Sequence, residues 1–268
     1  MSGAWMTGGV PAPGSTQLFC FPFAGGSASA YRPWFRLAPS TVHVKSVEYP
    51  GRGMRMAETP SVSIPQLVMD LADRIEPLLT TPFAFFGHSM GGVVAYELTL
   101  ELRARGAALP QHVFVSAASA PGGPTNHRAL IDVTDAEVVE ELRRLGGTPP
   151  ELLDQPEIVS QAVRVLRADS IALGRYHHRS ETPLNVPFTA FGGRDDPLVG
   201  FEHLCGWSTL TMGAFRLALF PGDHFFLYPA GREILATIAL SLDRLGMLNP
   251  RHLSDGAPAF AIHEAGRR

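Results

Sequence analysis

One serine in this chain is set among small residues in a way that suits a nucleophile. It is Ser89, in the run FAFFGHSMGGVVAYEL over residues 83–98, with Gly87, Gly91 and Gly92 around it. An aromatic apolar run precedes it and an amphipathic run follows, so the pattern predicts a strand, a sharp turn and a helix with the hydroxyl projected from the turn. A G-x-S-x-G match is weak by itself, its bland reading being a glycine-rich turn with a solvated serine. The strand-to-helix setting favours the nucleophile. A neutral hydroxyl attacks poorly, so it needs a base within hydrogen-bond reach and an acid to orient that base.

Ten histidines compete for the base. His224, in FPGDHFFLYP, sits just past the last predicted strand and before the last predicted helix. His88 adjoins the serine on a tight turn and points away from it. His177 and His178 belong to an inserted helical segment, and His252 and His263 to the C-terminal stretch. With a nucleophile at such an elbow the chain order is serine, acid, histidine, which places the acid after VPFTAFGG, where Asp195 and Asp196 are both candidates. The bland reading of Asp195 is a turn residue bonding the loop backbone. The turn resembles the G-x-x-D-x-x-V of α/β-hydrolases with Gly193, Asp196 and Val199 in register, which favours Asp196. A tetrahedral intermediate also needs preorganised donors for its oxyanion. The amide of Met90 is one, and the glycine-rich loop FPFAGGSAS offers a second from Phe23 or Ala24.

The elements that must position these groups alternate along the chain. Strand-type runs at QLFCFPF, VHVKSVEYP, FAFFG, HVFVSAAS, VPFTAFGG and FRLALFPG are separated by helix-period runs, the pattern of a mostly parallel sheet with helices on both faces. Ser63 and Gln66 open one helix as a capping-box pattern, with Leu67, Val68, Leu71, Ile75 and Leu78 at helical spacing. Residues 121–183 hold no convincing strand but two amphipathic helices, over 135–145 and roughly 157–177, which predicts a helical lid inserted between core segments 15–120 and 184–248. Gly122, Gly123, Gly146 and Gly147 are its candidate hinges, and Leu142, Leu145, Ile158, Val163, Leu166 and Ile171 its candidate apolar underside above Ser89. Residues 1–14 and 249–268, rich in Gly, Pro and Ala without periodicity, are expected to be mobile tails.

Composition narrows the function classes. A chain of 268 residues, 45% hydrophobic and 18% charged, can bury a sizeable core. Its net charge of -3 and lack of a basic run argue against nucleic acid as a partner. No apolar run approaches the ~20 residues of a membrane span, and the first residues lack a basic and an apolar signal region, so a soluble cytoplasmic protein is expected. Of the two cysteines, Cys20 lies inside the apolar LFCF and reads as a small hydrophobe. No HExxH, clustered Cys/His spacing, dinucleotide loop or P-loop appears, so neither metal nor cofactor is expected.

Taken together, FPFAGGSASAYRPW, EYPGRGMR, FFGHSMGGVVAYEL, FVSAASAP, VLRADSIALGRYHH, PFTAFGGRDDPLV and FPGDHFFL resemble the type II thioesterases that accompany polyketide synthases and nonribosomal peptide synthetases. The resemblance runs from residue 18 to about 228. PGRG after the second strand and LRAD in the inserted segment set it apart from generic lipases. It implies an α/β-hydrolase fold and hydrolysis of acyl thioesters from the phosphopantetheine arm of acyl or peptidyl carrier proteins, clearing stalled or misprimed groups. It also implies Ser89 as nucleophile, Asp196 as acid, His224 as base, and the amides of Ala24 and Met90 as oxyanion hole. RADS departs from the larger residue often found after the aspartate, which affects the acyl pocket. A serine esterase or lipase on free esters is the alternative enzyme, and a non-catalytic carrier-binding module the alternative class. Carrier proteins of this kind are usually acidic, which makes Arg52, Arg55, Arg143, Arg144, Arg164, Arg167, Arg175 and Arg179 candidates for docking. Their bland reading is solvated surface charge.

Overall fold

The computed structural model describes residues 5–123, 133–145, 154–179 and 182–243 of the chain. In chain order the main elements are β1 (Met6–Thr7), β2 (Thr16–Phe21), α1 (Trp34–Leu37), β3 (Val42–Val47), α2 (Ile64–Ile75), β4 (Phe83–His88), α3 (Met90–Ala104) and β5 (Val113–Ser116). After them come α4 (Asp135–Leu145), α5 (Pro156–Gly174), β6 (Phe188–Gly193), α6 (Phe201–Cys205), β7 (Phe215–Phe220) and α7 (Gly231–Asp243). The strands form one seven-stranded sheet in the order β1-β3-β2-β4-β5-β6-β7. Every pairing is parallel except that of β1 with β3. This is the α/β-hydrolase architecture.

The central strands are covered on both faces, which is why they read as unbroken apolar runs rather than alternating ones. Phe19 and Phe21 of β2 pack with Phe85, Val94, Leu98 and Leu71 on the side of α2 and α3. Their neighbours Leu18 and Cys20 face the opposite side, with Phe86, Phe114, Ile234 and Ile238, as the two-residue period of a strand requires. Cys20 is fully enclosed, burial pushes its thiol up, and neither it nor Cys205 is in a disulfide.

Two helix starts follow their sequence signals. The Ser63 side chain accepts the Gln66 amide of α2, although the Gln66 side chain turns to Asp70 instead of closing the box. At α4 the box closes: Thr134 N donates to Glu137 Oε2 at 2.8 Å and Glu137 N to Thr134 Oγ1 at 3.3 Å. The helices α4 and α5 lie between β5 and β6 in the chain, with no strand there among the described residues. They share an apolar cluster of Val138, Leu142, Val163 and Leu166.

The expectation of a mobile tail over 1–14 is corrected for its described part. Met6 pairs with Val47 and Thr7 with Ser46, and Trp5 is buried beneath the Arg55 guanidinium, 3.5 Å from its ring centroid. A cation over an indole face is attractive enough to hold a short segment that periodicity alone does not mark. The expected tail at 249–268, the hinge glycines Gly146 and Gly147, and the Leu145 side chain lie outside the described residues.

Candidate active site

Ser89 stands between β4 and α3 with φ 54° and ψ -118°. Among the described residues only Ala117 shares its positive φ outside glycine, and such backbone strain persists where the surrounding structure over-determines it. The glycines around Ser89 explain how. A Cβ at Gly87 would collide with the Gly91 carbonyl, one at Gly91 with the Phe21 carbonyl, and one at Gly92 would come within 2.8 Å of the Ala118 Cβ. The start of α3 is thus pressed against both β2 and the end of β5, and the Ser89 amide donates to the Ser116 carbonyl at 2.7 Å. Half-buried Ser89 is held at the carboxyl end of the parallel strands, where such sheets place their ligands.

The two downstream candidates meet. His224 Nδ1 lies 2.8 Å from Asp196 Oδ2, while Asp196 Oδ1 accepts the amides of Leu198 at 2.8 Å and Val199 at 3.1 Å. Their side chains are 8% and 0% exposed, respectively. Gly193 makes the meeting possible, because any Cβ there would strike the carbonyls of Gly222 and Asp223. Asp195 is exposed and contributes its amide to the Gly222 carbonyl at 3.0 Å, the turn role weighed for it. His88 is fully buried, its Nδ1 bonded to Ser116 Oγ at 2.9 Å. Burial, and then the neighbouring His224, hold its imidazole well below the usual histidine range, so it stays neutral beneath the site.

Ser89, Met90 and His224 line one cavity of about 570 Å³, together with Val93, Leu173 and Tyr176. A second cavity of about 650 Å³ is lined by Phe23, Ala24, Gly25, Arg52, Leu142 and Ile158. Ala24 and Met90 line different ones of these cavities, while the segments that carry them adjoin, since a Gly91 Cβ would come within 2.8 Å of the Pro22 carbonyl. The expected underside of the inserted helices is also redistributed: Leu142 and Ile158 line the second cavity, Val163 and Leu166 pack between α4 and α5, and Ile171 is half-buried away from either lining. Leu173, at the end of α5, lines the Ser89 cavity instead. Tyr176 fixes that end by donating to Glu97 Oε1 at 2.5 Å, and burial pushes its phenol up. His177, exposed, and His178, half-buried, also line this cavity, in keeping with a place on its rim. Among the described residues no three His, Cys, Asp or Glu side chains cluster as metal ligands would.

Two docking candidates are corrected. Arg52 and Arg55 are 4% and 5% exposed, because each is neutralised internally, Arg52 by Asp169 and Arg55 by Glu58. Arg164 is spent on the carbonyls of Gly51 and Met56, and Arg167 on Asp135. Arg143, Arg175 and Arg179 are exposed, and the Arg144 side chain lies outside the described residues. Sequence reasoning gave no role to Trp207, which is buried and donates Nε1 to the Ala118 carbonyl at 2.7 Å, steadying the cavity wall.

A serine at a strained strand-to-helix turn, lining one cavity with an imidazole that meets a carboxylate, is an arrangement suited to acyl transfer. The thioesterase-domain family model matches residues 16–241. The chain belongs to the thioesterase family. It is 39% identical over 219 residues to the gramicidin S biosynthesis protein GrsT of Aneurinibacillus migulanus, covering 82% of this chain and 86% of that protein. The RedJ thioesterase of the prodiginine pathway in Streptomyces coelicolor superposes with a TM-score of 0.81 at 38% identity, over 87% of this chain and 92% of that one. The type II thioesterase BorB of the borrelidin cluster gives 0.79 at 37% identity, over 89% and 98%. The present thioesterase is accordingly a thioester hydrolase, and these three relatives are named for the biosynthesis of gramicidin S, prodiginine and borrelidin. No helix among the described residues is long and apolar enough to cross a membrane.

Proposed function

We propose that this thioesterase removes acyl groups from the phosphopantetheine arm of acyl or peptidyl carrier proteins, using Ser89, His224 and Asp196 as a triad. The observation that carries the reading is the 2.8 Å hydrogen bond between buried Asp196 and His224, with His224 and Ser89 lining one cavity. Asp196 fixes the tautomer with Nδ1–H, which leaves Nε2 as the base. Ser89 Oγ attacks the thioester carbonyl as its proton passes to His224 Nε2, and the carbonyl oxygen becomes an oxyanion received by the amides of Met90 and Ala24. Collapse breaks the carbon–sulfur bond, and His224 returns the proton to the departing thiolate. Water then repeats the sequence on the acyl-serine, releasing the acid. A thiolate leaves readily, so general-base and oxyanion assistance suffice. Arg175 and Arg179, exposed just beyond α5 and beside Tyr176, His177 and His178 of the Ser89 cavity, are the cations offered to an acidic carrier domain.

The experiment presents a panel of acyl-carrier proteins, matched acyl-N-acetylcysteamine thioesters and matched oxygen esters. Carrier-bound thioesters should be turned over with the highest kcat/KM, and Ser89→Ala should abolish turnover in a folded protein. Triad losses reach ~10⁶ in kcat. More than about a hundredth of the activity remaining would remove Ser89 as nucleophile, and faster oxygen-ester hydrolysis would favour an esterase.

A further inference from the structure

Two sequence signatures that the triad leaves unused meet inside the protein. Arg52 comes from PGRG, after β3, and Asp169 from LRAD, on α5. They form a bidentate pair, Arg52 Nη1 to Asp169 Oδ2 at 2.6 Å and Nη2 to Oδ1 at 2.7 Å, with side chains 5% and 3% exposed. The pair does not close on itself. Asp169 Oδ2 also accepts the Gly25 amide at 2.7 Å, and Arg52 Nη1 also donates to the Gly26 carbonyl at 3.1 Å.

Those two backbone groups belong to the loop that follows β2. Its residues Phe23 to Gly26 form a turn closed by Gly26 N to Phe23 O at 2.9 Å, with Gly25 at φ +79°. A positive φ at the third position is the signature of a type II turn, whose middle peptide is free to flip unless something holds it. Here the carboxylate of Asp169 takes the N–H of that middle peptide, and Leu166, one helical turn earlier, lies where it would meet a Gly25 Cβ at 3.5 Å. Among the described residues no acceptor takes the Ala24 amide, so the turn is fixed on one side and keeps one donor unspent.

We propose that Arg52 and Asp169 are positioning residues: their buried pair fixes the 23–26 turn so that the Ala24 amide is preset for the oxyanion. This rests on the triad reading above, and it makes the seating of α5 a condition for a complete oxyanion hole. Burial opposes the guanidinium charge, but the Asp169 carboxylate outweighs it and holds Arg52 above its ordinary value, so the guanidinium stays charged.

The test separates positioning from mere stabilisation. Asp169→Asn and Arg52→Lys each break the bidentate geometry, and the double substitution R52M/D169L replaces the pair with apolar side chains. Such replacement of a buried ion pair is often neutral or stabilising. Each variant is assayed for kcat and KM on an acyl-N-acetylcysteamine thioester, for melting temperature, and for the rate of Ser89 labelling by a fluorophosphonate, whose phosphoryl oxygen occupies the oxyanion hole. Loss or misplacement of one oxyanion donor costs ~10²–10³ in kcat, so kcat and labelling rate should both fall by about 10- to 100-fold with KM within about threefold. R52M/D169L should remain catalytically impaired even with an undiminished melting temperature. Folded variants with wild-type kcat and labelling rate would overturn the proposal, as would recovery of full activity in R52M/D169L. Arg52→Lys keeps the charge and is the variant to read if the others are unfolded. Failure of the triad reading looks different: the wild type itself would not label at Ser89.

Discussion

Asp196→Asn is the sharpest probe of the candidate triad, because the substitution changes one proton and almost no volume. In the native arrangement Oδ1 already accepts two amides, from Leu198 and Val199, and Oδ2 takes the His224 ring. An asparagine keeps its oxygen toward the two amides, since the alternative would aim its N–H₂ at two donors. Its N–H₂ then faces His224 Nδ1, which must become an acceptor. The imidazole is forced into the tautomer with Nε2–H, and no lone pair remains to take the Ser89 proton. Removal of the correct tautomer in a serine triad costs ~10⁴ in kcat, about 5.4 kcal/mol of transition-state stabilisation. Asp195→Asn alters an exposed turn side chain and should leave kcat within about twofold, as surface substitutions usually change little. The assay is thiol release from an acyl-N-acetylcysteamine substrate, with circular dichroism to confirm folding. Equal loss in the two variants, or more than about one per cent of wild-type kcat in Asp196→Asn, would refute the tautomer argument.

Other expectations follow from the cavity and the core. Leu173 lines the Ser89 cavity beside Val93, so Leu173→Phe should lower kcat/KM for long acyl thioesters relative to short ones, at ~1–3 kcal/mol per methylene excluded. An unchanged chain-length profile would move acyl selection away from the end of α5. His112 is pushed down to about 3, first by burial and then by the nearby Arg216 charge. The unfolded chain therefore binds a proton near the ordinary 6.5 that the folded chain refuses until about 3. Stability contributed by this group is complete above pH 6.5 and falls as pH drops toward 3. Urea midpoints measured from pH 7 to pH 4 should decline less steeply in His112→Gln than in the wild type, and parallel slopes would contradict the assignment.

How much could be read from the chain depended on how local each cause is. The strands of the central sheet were legible because Phe19, Phe85, Phe114 and Phe188 sit in short apolar runs that both faces of the sheet demand. Asp196 and His224 were legible because each lies at a strand end, in an order that the elbow implies. Between Asp195 and Asp196 the sequence leaves a choice of turn residues, and in space it is the Asp196 carboxylate that turns to the His224 imidazole. Arg52 illustrates the opposite case. Its charge suggests a solvated docking residue, and only the partner 117 positions away explains why it is buried. Leu166 and Leu142 were seen as an apolar face, but periodicity cannot say which of two cavities or which helix a face will meet.

The short strand at the start of the sheet carries a consequence for colloidal behaviour. Without β1, the polar groups of β3 would lie open along the rim of the sheet, a template on which a second chain can pair. Two residues of antiparallel pairing close part of that rim, and the carbonyl of Gly8 continues the cover by meeting His43 Nε2 at 2.7 Å. Lys45 reaches the same stretch, donating to the Gly9 carbonyl at 3.0 Å, and leaves a cation on the rim. The segment that carries no catalytic group thus covers backbone that a second chain could otherwise pair with, and trimming it would uncover that rim to edge-to-edge assembly.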